Sequence, residues 1–127
     1  MGASTVSKIP EVRIKLVELQ RKIADNNDCV LDGRDIGSYV LPLAKIKIFL
    51  TADPEDRARR RYEELIEKGV DITYNNVLED VIARDDQDSS RAFAPLKATN
   101  DAIIINTTGN SIEDTKKEFD KILCKLK

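Results

Sequence analysis

The sequence predicts an α/β fold, a single domain of helices packed on a mainly parallel sheet. Three short apolar runs, Cys29-Val30-Leu31, Ile46 to Thr51 and Ala102 to Ile105, read as strands, and runs of that length bounded by turn residues suit strands buried on both faces. Helical patterns separate them, and strands alternating with helices make βα units. The 127 residues contain no internal repeat, low-complexity tract or linker. A chain of this length buries roughly two-thirds of its unfolded surface, which is enough for one core.

Pro10 suits the first position of a helix, and Val12, Leu16, Leu19 and Ile23 follow at spacings of 4, 3 and 4, so residues 10 to 25 carry one apolar face. Asn26-Asn27-Asp28 breaks that helix. The strand Cys29 to Leu31 then runs straight into the turn Asp32-Gly33-Arg34-Asp35, which places polar groups at a strand's carboxyl end. After the second strand, Asp53-Pro54-Glu55 supplies an N-cap, a first-position proline and an acidic first turn for a basic helix over residues 54–68, stopped by Gly69. A further helix from about Asn76 turns Leu78, Val81 and Ile82 inward and ends at Ala94-Pro95-Leu96. The last helix follows Thr108-Gly109-Asn110, opens with the capping box Ser111-x-x-Asp114 and buries Phe119, Ile122, Leu123 and Leu126.

The 41% hydrophobic and 35% charged content is globular with a heavily ionised surface, and a net charge of −2 gives no bulk attraction to nucleic acid or anionic membrane. An anion site must be built locally. Histidine is absent, which removes His-based acid–base chemistry, Ser-His and Cys-His nucleophiles and most zinc sites. Cys29 and Cys124 fit no metal spacing and point to a reducing cytoplasm, and no run reaches transmembrane length. No metal-binding residues are expected.

Three constellations carry candidate chemistry. The turn Asp32-Gly33-Arg34-Asp35 offers a guanidinium and a carboxylate beyond a strand, or is a structural turn. Arg57, Arg59, Arg60 and Arg61 form either a solvated face balanced by Glu55, Glu63 and Glu64, or a mobile set of forks that closes over phosphates. Arg84, Asp88 and Arg91 fall at i, i+4 and i+7, one helical face that alternates in charge. That face is either an ion-pair ladder or a fixed grip for a phosphate and a sugar hydroxyl.

Taken together, Asp32-Gly33-Arg34-Asp35-Ile36-Gly37, Lys47-Ile48-Phe49-Leu50-Thr51-Ala52, Arg57-Ala58-Arg59-Arg60-Arg61, Arg84-Asp85-x-x-Asp88-x-x-Arg91 and Ala94-Pro95-Leu96 resemble the bacterial cytidylate (CMP) kinases in order and spacing. Ser4-x-Val6-x-x-Ile9-Pro10-x-Val12-Arg13 is similar to that family's base-reading segment. The resemblance implies that Ser4, Arg13 and Asp35 contact cytosine, that Arg34 and Arg91 hold the CMP phosphate, and that Arg84 and Asp88 engage the ribose. It further implies that Arg57, Arg60 and Arg61 belong to a lid closing on the donor phosphates of ATP with its Mg²⁺. Phosphoryl transfer asks mainly for positioning and charge stabilisation, so a histidine-free chain suits it.

The resemblance also implies a parallel-sheet P-loop nucleoside monophosphate kinase fold, yet the glycine-rich turn ending in Gly-Lys-Ser/Thr is not among these 127 residues. The chain therefore reads as the C-terminal portion, 1–127, of such an enzyme, with the first strand, phosphate loop and monophosphate-binding insert lying outside it. By resemblance, that first strand would sit between Cys29–Leu31 and Ile46–Leu50. Two consequences are expected: negligible turnover by this chain alone, and self-association or a rearranged sheet through the uncovered surfaces. The expected ligands are CMP or dCMP and ATP, with no nucleic acid or membrane partner. A different reading is a non-catalytic nucleotide-binding or interaction module that lacks the phosphate loop.

Overall fold

The structure is a computed structural model that describes residues 2–90 and 96–125, apart from the side chains of Ala3 and Ser4. A short helix α1 (Gly2–Val6) leads into α2 (Pro10–Asn26), which starts with Pro10 at its first position. The side-chain amides of Asn26 and Asn27 donate to the Lys22 and Ile23 carbonyls at 2.7 and 2.9 Å. These side-chain bonds to the last turns compete with the backbone's own pairing where the helix ends.

The apolar stripe of α2 is not its buried face. Val17 is buried, while Leu16, Leu19 and Ile23 stay about half exposed. The residues that follow correct a second expectation, because Cys29 to Leu31 forms no strand and Val30 is 93% exposed. A strand needs a neighbour's hydrogen bonds as well as apolar side chains, and among the described residues none pairs with this run.

Residues Ile36–Val40 form a π-helical turn in which Val40 N–H donates to the Asp35 carbonyl and Leu41 N–H to that of Ile36. Arg21 of α2 clamps it. Its guanidinium donates to the carbonyls of Val40 and Tyr39, both at 2.8 Å, and lies 5.5 Å from the centre of the Tyr39 ring. Buried Val17 and Val40 accompany this contact between α2 and the turn.

The sheet pairs β1 (Ile48–Thr51) in parallel with β2 (Ile103–Asn106), and the register runs from Ile48 opposite Ile103 to Thr51 opposite Asn106. Its parallel sense agrees with the sequence reading, but among the described residues it has two strands, not three, and only part of it is covered. Ile104 is 62% exposed, and Leu50 and Ile103 are also exposed. The crossover contains α3 (Pro54–Glu67) and α4 (Tyr74–Ser89), packed on each other with Ala58 and Val77 fully buried. Tyr62 and Tyr74 meet edge to face across this contact, centroids 6.2 Å apart.

Helix α3 follows Asp53 with Pro54 first, and it ends before Gly69, whose φ of 75° is the left-handed cap glycine tolerates. Helix α4 starts two residues earlier than expected because Thr73, not a later residue, is the cap: its hydroxyl accepts from Asn76 N–H. Ile82 is exposed, against expectation. The expected terminator Ala94-Pro95 lies outside the described residues. The last helix, α5 (Ile112–Cys124), carries the expected capping box, with Asp114 N–H donating to Ser111 Oγ at 3.1 Å and Ser111 N–H donating to the Asp114 carboxylate at 3.0 Å. Ile122 is buried, Leu123 is exposed, and Leu126 lies outside the described residues.

Candidate functional site

The turn at Asp32–Asp35 sends consecutive side chains to different helices. Arg34 Nη1 lies 2.6 Å from Asp88 Oδ2 on α4, and Arg13 of α2 pairs with the Asp35 carboxylate. Asp88 is only 5% exposed, and a buried carboxylate at this depth requires a cation and hydrogen bonds to stay charged. The turn's glycine is needed for space rather than for an unusual φ. A Cβ on Gly33 would lie 2.9 Å from Ile36 Cγ1, whereas the glycines with positive φ are Gly69 and Gly109.

Beside this pair stands a second. Arg57 of α3 donates through Nη1 to Asp85 Oδ1 at 2.9 Å and through Nη2 to Asp85 Oδ2, while its Nε donates to the Ala52 carbonyl at 3.0 Å. The guanidinium thus spans the carboxyl end of β1 and the side of α4. The Arg57 hydrogen bonds hold the Asp85 carboxyl below its ordinary range against the opposing effect of burial, helped by the charges of Arg57, Arg34 and Arg84. Reciprocally, Asp85 raises the pKa of Arg57. Arg60 donates to the Thr107 carbonyl beyond β2 and pairs with Asp56 at 2.6 Å. Arg57 and Arg60 therefore both sit where the parallel strands end, the crevice in which open α/β sheets hold ligands.

The other arginines of the basic helix behave differently. Arg59 pairs with Asp56 and Glu63, and Arg61 with Glu64. These contacts lie within one helix on an exposed face. Arg84 is exposed on α4. Of the two readings of the Arg84, Asp88 and Arg91 face, the structure shows Asp88 paired across the fold with Arg34. Ser4 lies on α1, but its side chain is outside the described residues, as is all of Arg91.

The structure thus gathers Arg34, Arg57, Arg84, Asp85 and Asp88 into one charged cluster, sets the pair of Arg13 on α2 and Asp35 on the turn beside it, and leaves Arg61 apart. Sequence reasoning missed Asp85. The signal was present, since Asp85 and Asp88 at i, i+3 share a helical face. It also missed Arg21, and it missed Lys47, whose nearly buried ammonium lies 2.8 Å from Asp101 and lowers that carboxyl's pKa. Lys47, Arg34, Asp32, Ser38, Lys97 and Thr99 supply the polar lining of a cleft beside β1.

Paired planar guanidiniums are suited to bidentate capture of oxyanions. Each is held here by a carboxylate that orients it, and that carboxylate can accept a sugar hydroxyl or yield to a phosphate. The same carboxylates do not suit Mg²⁺, because Asp85 and Asp88 each face a guanidinium rather than an open coordination position.

Fold and site together define a class: a parallel-stranded α/β chain with ion-paired arginines oriented beyond its strand ends. Within that class the chain belongs to the cytidylate kinase family, whose model, described as "Cytidylate kinase", matches residues 1–124. It is 56% identical to a cytidylate kinase of Clostridioides difficile over 117 residues, covering 92% of this chain and 54% of that protein. It is 50% identical to one of Thermosipho melanesiensis over 127 residues, with 98% and 58% covered. A cytidylate kinase of Fusobacterium nucleatum is 51% identical over 126 residues, with 99% and 58% covered. The chain spans about half the length of the curated relatives it matches. No helix among the described residues is long and apolar enough to cross a membrane.

Proposed function

We propose that this chain supplies the acceptor-nucleotide wall and the lid arginines of a phosphotransferase that moves the γ-phosphoryl group of ATP to CMP or dCMP, giving CDP or dCDP and ADP in the cytoplasm. Arg34 and Arg91 hold the acceptor phosphate; Ser4, Arg13 and Asp35 contact the base; Arg84 and Asp88 engage the ribose. Arg57, Arg60 and Arg61 belong to a lid that closes on the donor phosphates. The observation that supports this reading is the pair of Arg34 with the buried Asp88, in which two residues distant in sequence are held as a fork beside an acceptor. Its chemistry is positioning and charge stabilisation, with no covalent step on the protein. No glycine-rich phosphate loop occurs in the 127 residues, so ATP and Mg²⁺ are gripped by a part of the enzyme other than this chain, and the chain alone turns over negligibly.

A coupled assay of ADP release tests this reading. The chain alone should be silent with ATP, Mg²⁺ and CMP. Joined as a chimera to the part of the C. difficile relative that it does not match, it should phosphorylate CMP, and Arg34→Ala should cost at least ~100-fold, the order of one lost transition-state contact. Robust turnover by the chain alone, or an inert chimera that nevertheless binds both nucleotides, would sink the proposal. The same missing loop favours one other reading, a non-catalytic nucleotide-binding or interaction module, and that inert chimera is its signature.

A further inference from the structure

Helix α2 meets the turn after Asp35 along one ridge. Arg13, Val17 and Arg21 recur every four residues, the spacing that lines side chains up along a helix. Arg13 pairs with the Asp35 carboxylate where the π-helical turn begins. Val17 is buried between the two arginines, as Val40 is on the turn. Arg21 closes the far end, donating through Nε to the Val40 carbonyl and through Nη2 to the Tyr39 carbonyl, both at 2.8 Å.

The turn depends on that last contact. A π-helical turn is a rare conformation that collects at functional positions and is mostly embedded in a longer helix, whereas this one stands on its own over Ile36–Val40. The final carbonyls of a helical turn have no partner within it. Here one guanidinium supplies two of the missing bonds and sets a cation at the carbonyl end, where it is favourable. The same two residues reach back to the site, since Tyr39 N–H and Val40 N–H donate to the Asp35 carbonyl at 2.9 and 3.1 Å. Arg21 and Asp35 therefore hold Tyr39 and Val40 from opposite ends.

We infer that Arg21 is a positioning residue for base selection: by capping the π-helical turn it sets the Asp35 carboxylate and, one residue earlier, the Arg34 guanidinium, without touching the nucleotide itself. The inference rests on the proposed function and adds a residue that tunes the same site. A carboxylate accepts from the amino group of cytosine and is repelled by the carbonyl that uracil carries in its place. Held in one position it tells the two bases apart; free to swing, it does so less.

Arg21→Met keeps the apolar stem and removes the donors, at a position that is exposed. In calorimetry of the chain with CMP and UMP, the ratio of the two dissociation constants should shrink at least about fivefold, the scale of one hydrogen bond held out of line. Arg21→Lys, which keeps the charge but not the planar fork, should fall between, and it carries the test if Arg21→Met does not fold. Amide exchange at Tyr39, Val40 and Leu41 should quicken at least about tenfold while that of α5 stays unchanged. A ligand-free arm separates this inference from the proposed function: in either Arg21 background, the coupling between Arg34 and Asp88 in urea unfolding should shrink at least about twofold. An unchanged CMP-to-UMP ratio, exchange quickened throughout the chain, or an Arg34–Asp88 coupling left intact would each overturn the inference. A chain that binds neither nucleotide, yet loses the coupling when Arg21 is replaced, would leave Arg21 setting the turn and count against the proposed function alone.

Discussion

Arg34 and Asp88 form an ion pair at 2.6 Å between a surface turn and the second helix of the crossover, and the carboxylate is far more buried than the guanidinium. The asymmetry matters. A half-exposed arginine can turn toward a ligand, but the carboxylate cannot follow it into water. On the proposed function, a guanidinium shared between Asp88 and the acceptor phosphate keeps the buried carboxylate compensated, so that it can accept from a ribose hydroxyl.

This pair should also contribute to stability. Arg34→Ala leaves a buried carboxylate short of its cation and is expected to cost about 1–3 kcal/mol in urea unfolding. Asp88→Asn should cost a similar amount. The two changes should be non-additive by more than about 0.5 kcal/mol in a double-mutant cycle; simple additivity would mean that the pair is not formed in solution.

The Arg57–Asp85 pair predicts a pH dependence with a definite sign. Asp85 titrates below its ordinary 3.8 because Arg57 hydrogen-bonds its ionised form. A depressed folded value means that the contribution is complete above the unfolded value and is lost as pH falls through the folded one. Unfolding midpoints should therefore drop on acidification from about pH 5 toward pH 3, and Asp85→Asn should remove part of that drop. Both side chains are about a third exposed, so the effect should stay below about 1 kcal/mol. Asp101 and Asp114, also lowered, should account for part of the remaining slope.

Gly33→Ala should be costly for steric reasons. The new methyl would press on Ile36 at 2.9 Å, so the turn must open, at a cost of about 1–3 kcal/mol. The opening should displace Arg34 as well, and CMP affinity should fall together with the thermal midpoint. A substitution that leaves both unchanged would show that the turn has slack.

Ser111→Ala removes the hydroxyl that accepts from Asp114 N–H and one half of the capping box. The expected cost is about 1 kcal/mol with loss of helical signal from α5. Ser111→Asn should restore most of it.

How much of this was legible in the sequence follows the range of each signal. Caps and breaks are local, so Pro10, Pro54, Gly69 and the Ser111–Asp114 box marked helix ends closely. The parallel pairing of β1 and β2 followed from strand–helix alternation. Two failures have a common cause: Cys29 to Leu31 and the α2 stripe have apolar patterns that require a neighbour, and among the described residues the neighbour is not there. The site was partly visible as arginine and aspartate spacings. Which carboxylate each arginine takes is set by tertiary approach, so Arg57 with Asp85 and Arg34 with Asp88 became clear only in three dimensions.

The central claim is that this chain carries the wall that holds the acceptor nucleotide, and calorimetric titration of CMP tests it most directly. The account predicts saturable binding that Arg34→Ala and Asp88→Ala each weaken at least about tenfold, about 1.4 kcal/mol, while Arg61→Ala, on the exposed face of the basic helix, leaves it within about twofold. Absent or millimolar binding that neither Arg34→Ala nor Asp88→Ala alters would contradict it.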